Sequence, residues 1–419
     1  MAEQRRGILS GELAGQTLID GVHVLPGQGN SLAIETDAGV VVIDASGPMH
    51  ADGMIARLRQ LTDSPVHAIV YSHGHHGYNA AVDVWRRHNE ERGDAPIRLV
   101  GHERVVARMA RYRETAELQT RMLSIQFNSR REVPLDTLAK GLALHDLTET
   151  FGERMVLVDG DRPVELVWAP SEVDDALAVW LPKERLLFGG AATPGFTIPN
   201  IGTPLRTQRF TIRWAETLDR LVSLGATRLV TEFGPMIEGE DEVRHQMSET
   251  ARALRWLRDE VVRRMNAGMD EGEILADMTY PDELFDQPWM RPTYGAPDYI
   301  VRDLYREENG WWDRNPTTLH PSPPASAAAA VLSAISDRSA VLARARELAD
   351  AGDAQLALHV VDLLALAPGD DPDVVAARQL KAELCNTRAD EVDPYVSRSC
   401  YRSSARLLEK GHTSWTGLG

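Results

Sequence analysis

The chain has 419 residues, 43% hydrophobic and 26% charged, the profile of a soluble globular protein with more residues than one ordinary core holds. Its 45 Lys and Arg against 62 Asp and Glu give a net charge of −17 spread along the sequence, so no nucleic acid and no anionic membrane is expected as a partner. No stretch approaches the roughly 20 apolar residues that span a bilayer; MAEQRRGILSGELAG has no apolar run behind its basic residues, and Cys385 and Cys400 are expected as reduced thiols in a cytoplasmic protein.

The first half alternates short apolar runs with turn signals. SLAIETDAGVVVIDASG (31–47) predicts two strands joined by a turn at Asp37–Gly39, with Asp44 at the end of the second. Helical periodicity over 50–61 leads to a strand at 66–72 and a surface helix at 83–92. A strand at 97–103 opens toward His102 and Glu103, and a helix follows near 104–122. RMVLVDG, VELVWAP, ALAVWLP and RLLFGG predict four more strands, before a helix at 209–224 and a strand at 228–234. Strands with interspersed helices and polar strand-end loops make residues 1–238 an α/β unit of packed sheets.

Beyond it the pattern becomes helical. GEDEVRHQMSETARALRWLRDEVVRRMNAG repeats apolar residues at three and four, MDEGEILADM is helical, and YIVRDLYREENGWWDRNP predicts a helix ending in an aromatic turn. Trp311 and Trp312 in that turn are expected as core or interface anchors. Prolines and small residues over 317–330 predict a linker, so 239–335 forms one helical region and 336–419 another. The latter has the small-residue and glycine placement of a helical hairpin similar to a tetratricopeptide unit. One or two such units are too few for a solenoid and should dock on the body of the protein or on a second subunit.

YSHGHHGYN (71–79) carries three histidines in four positions. His73 and His75, at i and i+2 just past a strand, can face one cation together, with Gly74 relieving crowding between them. Imidazole suits zinc, and iron and copper as well. A polar loop with solvated histidines fits the spacing too; placement after a buried strand, beside His76, favours a functional site.

A strand followed by SHGHHG, with VVIDAS upstream, resembles the metallo-β-lactamase superfamily and, more narrowly, its alkylsulfatase branch. WAPSEVDDALAVWLP (168–182) is similar to that branch's proline–carboxylate segment, and YGAPDYIVRDLYREENGWWDRNPTTLHPSPP (294–324) to its dimerisation domain. The resemblance covers roughly residues 20–405. It implies an αββα sandwich followed by an all-α dimerisation domain with the tetratricopeptide-like hairpin, and a homodimer. No counterpart of the branch's sterol-carrier-like domain is expected.

Relatives bind two zincs with a histidine-x-histidine-x-aspartate-histidine motif. Carried over singly, His73, His75 and Glu172 match the first zinc's ligands. The second zinc's positions fall on Gly77, Tyr78, Ala191 and Glu232 or Phe233, where no usual ligand stands except a glutamate. The resemblance implies one zinc per chain, with iron or a metal-free pocket left open. His76 and Glu232 are candidates to rebuild the second site, Glu232 also as a general base and Tyr78 as a hydrogen-bond donor. Arg206 with Asn200 in NIGTPLRTQRF resembles the substrate-contacting segment and implies a small anionic substrate. Asp44 matches an aspartate that supports the histidine loop, and Asp175 is expected at the surface or behind the ligands rather than on a metal.

Three functions are open at this stage. One is a mononuclear hydrolase that cleaves a small anionic ester with metal-bound water. Another is a repurposed enzyme running a lyase, rearrangement or redox step with one metal or none. The last is a non-catalytic dimeric scaffold.

Overall fold

A strand that is apolar at odd and even positions alike must lie between two cores. GVVVI is such a strand: Val41 and Ile43 join one apolar cluster, Val40 and Val42 another. In the computed structural model, which describes residues 9–128, 134 and 147–414, this double burial recurs through two sheets. The first sheet has seven strands in sequence order: β1 (Thr17–Ile19), β2 (Val22–Gly27), β3 (Gly29–Thr36), β4 (Gly39–Ile43), β5 (Val66–Tyr71), β6 (Arg98–His102) and β7 (Glu149–Phe151). The second has six, ordered from β13 (Met236–Glu238) through β12 (Arg228–Thr231), β11 (Leu186–Gly190), β10 (Leu177–Leu181) and β9 (Val164–Trp168) to β8 (Arg154–Val158).

Val24, Ile34, Val41 and Val70 of the first sheet meet Leu166, Val179, Phe188 and Val230 of the second in the central core. The outer face of the first sheet packs on helices Pro48–Leu61, Val82–Arg92 and Arg104–Glu114 through Met54, Leu58, Trp85 and Met109. The outer face of the second packs on Thr211–Val222 and the 27-residue helix Glu240–Asn266. These four layers are the expected αββα sandwich.

Helices Glu271–Asp277 and Pro297–Asn309 continue the core formed by Glu240–Asn266. Arg338–Asp350, Ala354–Ala365, Pro372–Glu391 and Tyr395–Glu409 share a separate core. This bundle docks on the body of its own chain, where Ser403 Oγ donates to Ile125 O at 3.0 Å and Tyr395 N to Thr293 O at 2.8 Å.

Several expectations change. The helix near 104–122 breaks at Thr115 into Arg104–Glu114 and Ala116–Gln126, and the Thr115 hydroxyl bonds back to Arg111 O at 2.7 Å. The linker over 317–330 is largely helical, as Pro316–Leu319 and Pro324–Ser333: proline suits a first helical turn, and the alanines after it favour helix. Trp311 is 69% exposed and anchors no core among the described residues. Strands β1, β2, β7 and β13 had no strand predicted for them.

Candidate active site

Parallel pairing of β4 with β5, β5 with β6 and β11 with β12 sends the loops after these strands to one edge of the sandwich. Leu177 N donates to Ser72 O at 2.8 Å and Asn30 N to Glu232 O at 2.7 Å, which ties the two sheets together there. Asn30 Nδ2 adds bonds to Thr231 O and Gly234 O.

Asp44 sits just past β4 with a left-handed φ of 63°. Its Oδ1 accepts from Ser72 N at 3.0 Å and Asn79 Nδ2 at 2.8 Å, gripping the histidine loop at both ends. Burial pushes its pKa up to about 6 against the pull of those bonds. Asp175 holds the middle of the loop. It is fully buried, and its Oδ2 accepts from Gly74 N at 3.1 Å and Arg108 Nε at 2.8 Å. A Cβ at position 74 would lie 2.6 Å from that oxygen, so glycine is required there. Asp175→Ala leaves Gly74 N unpaired and strips Arg108 of one of two carboxylates; a loss of about 3 kcal/mol in denaturant unfolding is expected.

His73 is buried, with Nδ1 2.9 Å from Ser72 Oγ and Nε2 without a partner among the described residues. The His75 ring meets its edge at 4.5 Å, and Tyr78 packs on it at 4.3 Å. His76 lies on Tyr112 at 3.8 Å. Burial depresses all three imidazoles, His73 and His76 to about 3 and His75 well below its ordinary value, helped by the charges of Arg108 and Arg206 among others. They are neutral at physiological pH.

Two carboxylates face this loop. Glu172 Oε1 accepts from Asn200 Nδ2 at 2.8 Å and from Arg209 Nη2 at 2.9 Å. Asn200 also accepts from Thr203 at its side-chain oxygen, so it braces Glu172 from within the protein. Tyr78 OH donates to Glu232 Oε1 at 2.6 Å, and both side chains are buried. Burial, then the charge of Glu172, pushes Glu232 up to about 8; burial and Glu232 push the Tyr78 hydroxyl well above its ordinary value.

These groups open on a cavity of about 230 Å³. His75, His76, Tyr78, Glu172, Glu232 and Arg206 form its polar wall, and Leu123, Phe127, Phe196 and Phe233 its apolar one. Arg206 donates to Gln126 Oε1, which fixes the guanidinium beside the histidines. His102 is elsewhere, stacked on Trp168 at 5.3 Å. The sequence reading overlooked Arg209, Arg108 and Gln126. Arg206 and Arg209 share one irregular loop, where no period says which of them turns inward.

Residues 24–232 match the metallo-beta-lactamase superfamily, and residues 270–411 match the alkyl sulfatase dimerisation family. A metallo-β-lactamase domain is joined here to an alkylsulfatase dimerisation domain. The chain is 27% identical over 367 residues to a linear primary-alkylsulfatase of a Pseudomonas species, covering 83% of this chain and 68% of that one. An (R)-specific secondary-alkylsulfatase of Pseudomonas is 25% identical over 414 residues, covering 93% and 61%. The solved stereoselective inverting sec-alkylsulfatase Pisa1 from Pseudomonas superposes with a TM-score of 0.79 at 22% identity, over 95% of this chain and 66% of that one. The chain thus spans about two thirds of the length of these relatives.

A metallo-β-lactamase domain of the alkylsulfatase type implies metal dependence. The residues present do not fit a metal centre. Among the described residues, no group of three His, Cys, Asp or Glu side chains is arranged to hold an ion. His73 and His75 offer neutral imidazoles, but Oε1 of Glu172, expected as the third ligand, is taken by Arg209 and Asn200. The charges of Arg108, Arg206 and Arg209 bear on the same histidines and oppose a dication.

The positions that the family resemblance assigns to a second metal are built over. Ala191 packs with Val173 and Ala176, and Tyr78 reaches to Glu232. Gly77 has a φ of 89°, and a Cβ there would meet Gln28 Oε1 at 2.7 Å. Gly77→Asp is therefore expected to restore no metal binding and to lower stability by about 1–2 kcal/mol, read by thermal unfolding.

Proposed function

We propose that this chain is an enzyme of the alkylsulfatase lineage that hydrolyses a small anionic ester with an apolar tail, using Glu232 as proton carrier instead of a two-metal centre. The observation that carries this reading is the buried Tyr78–Glu232 hydrogen bond opening on a cavity with one cationic and one apolar wall. Arg206 takes the anionic head, and Leu123, Phe127 and Phe196 take the tail. Glu232, held above the ordinary carboxylate range by burial, is protonated near neutral pH. It gives its proton to the ester oxygen as the bond from that oxygen to the anionic head breaks. Water adds its oxygen to the head, and a proton from that water returns to Glu232. Tyr78 orients the carboxyl, while the neutral histidines shape the wall without adding charge.

Sulfate esters are the substrate class nearest to the relatives' names. The test is release of alcohol from medium-chain alkyl sulfates and alkyl phosphates by chelator-treated protein. Turnover that survives metal removal is expected; no turnover of any anionic ester, or turnover only after metal is returned, would sink the reading. The dimerisation domain supports a homodimer as the working form. Light scattering is expected to give twice the chain mass of 46.4 kDa.

A further inference from the structure

A second pocket lies between the helix Arg104–Glu114 and the first turn of Thr211–Val222, with a volume of about 370 Å³. Four guanidinium groups line it, from Arg104, Arg108, Arg111 and Arg213, against the carboxylates of Glu172 and Asp174. That is a surplus of two positive charges on a chain whose net charge is −17. Both carboxylates are already engaged. Asp174 pairs with Arg108 at 2.9 Å and Arg104 at 3.3 Å, and Glu172 pairs with Arg209.

Arg111 and Arg213 are left without a carboxylate among the described residues. Arg213 is stacked on Phe210, its guanidinium carbon 4.8 Å from the ring centre, which holds the group while leaving its edge free. Arg213 Nε and Gln208 Nε2 are buried donors with no acceptor among the described residues. Buried donors are normally satisfied, and leaving two unmet on one pocket wall is costly. The missing partner is an acceptor that carries negative charge and fits between planar guanidiniums.

We propose that this pocket binds a small oxyanion, sulfate or phosphate, at Arg111, Arg213 and Gln208. The site is separate from the catalytic cavity, with the Glu172 side chain forming part of both walls. It stands whether or not the proposed hydrolysis does. Phe210, which lines this pocket and not the catalytic cavity, is 41% exposed, so the pocket has its own contact with solvent.

Calorimetric titration with sodium sulfate and, separately, sodium phosphate at constant ionic strength tests it. Arg206→Gln protein is used as the reference, so that anion binding in the catalytic cavity does not contribute. One anion per chain is expected in that reference, with affinity at least tenfold lower once Arg213→Gln is added. Arg111→Gln, at a partly exposed helix position that burdens folding little, should weaken binding as well. Whichever of the two anions binds more tightly names the source. No binding to the reference protein, or binding indifferent to both substitutions, would overturn the site.

Discussion

Glu232→Gln is expected to lower kcat on an anionic ester by about 10²–10⁴-fold while leaving KM within about threefold. The substitution keeps the shape and the acceptor for Tyr78 OH but removes the transferable proton. Wild-type activity is expected to fall as pH rises through about 8, where the Glu232 proton is lost, and the variant should lack that limb. The same group leaves a mark on stability. Its folded pKa stands above the ordinary 4.5, so the folded state keeps a proton that the unfolded chain releases. Its contribution is fully present below about 4.5 and disappears as pH rises through about 8. At pH 9 the glutamine variant should therefore unfold at a higher temperature than wild type, an outcome that a lost structural contact would not produce. A variant with full kcat would remove Glu232 from the chemistry.

Arg206→Gln should raise KM about 10–100-fold with a smaller change in kcat, because a charge-assisted hydrogen bond to a bound anion is worth roughly 1.5–3 kcal/mol. Arg206 is held by Gln126 and bears on His75 and His76 from the cavity wall. Its removal also lifts a repulsion on those histidines, so the KM effect should be accompanied by an upward shift of the His76 titration, visible by NMR. An unchanged KM would place the anionic head elsewhere.

The fold was legible because its strands announce themselves. GVVVI and VHAIVY are buried on both faces, and the runs 164–190 alternate between two cores, so pattern and tertiary role agree. Helix breaks were less visible. Nothing in the period over 104–122 marks Thr115, whose hydroxyl bond to Arg111 O is a local choice. Prolines in the segment after 316 suggest a linker because proline breaks helices in their interior, whereas Pro316 and Pro324 begin helices.

The site was legible as residue types and not as pairings. The family resemblance implies that His73, His75, Glu172, Tyr78 and Glu232 lie near one another, and the chain does bring them to one edge. It gave no sign that Arg209 would claim Glu172, or that Tyr78 would bond to Glu232. Those partners come from loops far apart in sequence, and side-chain pairing across such loops has no local signature. Asp175, expected at the surface or behind the ligands, is fully buried behind the histidine loop and holds Gly74 in place.

Metal content of protein purified without chelator, measured by elemental mass spectrometry for wild type and His75→Ala, tests the remodelled site most directly. A Glu172 carboxylate bound to Arg209 and histidines surrounded by guanidiniums give far less than one metal per chain in both proteins, with turnover unaffected by chelation. One or more zinc or iron ions per chain in wild type, lost in His75→Ala together with activity, would contradict it and return His73, His75 and Glu172 to their role as ligands.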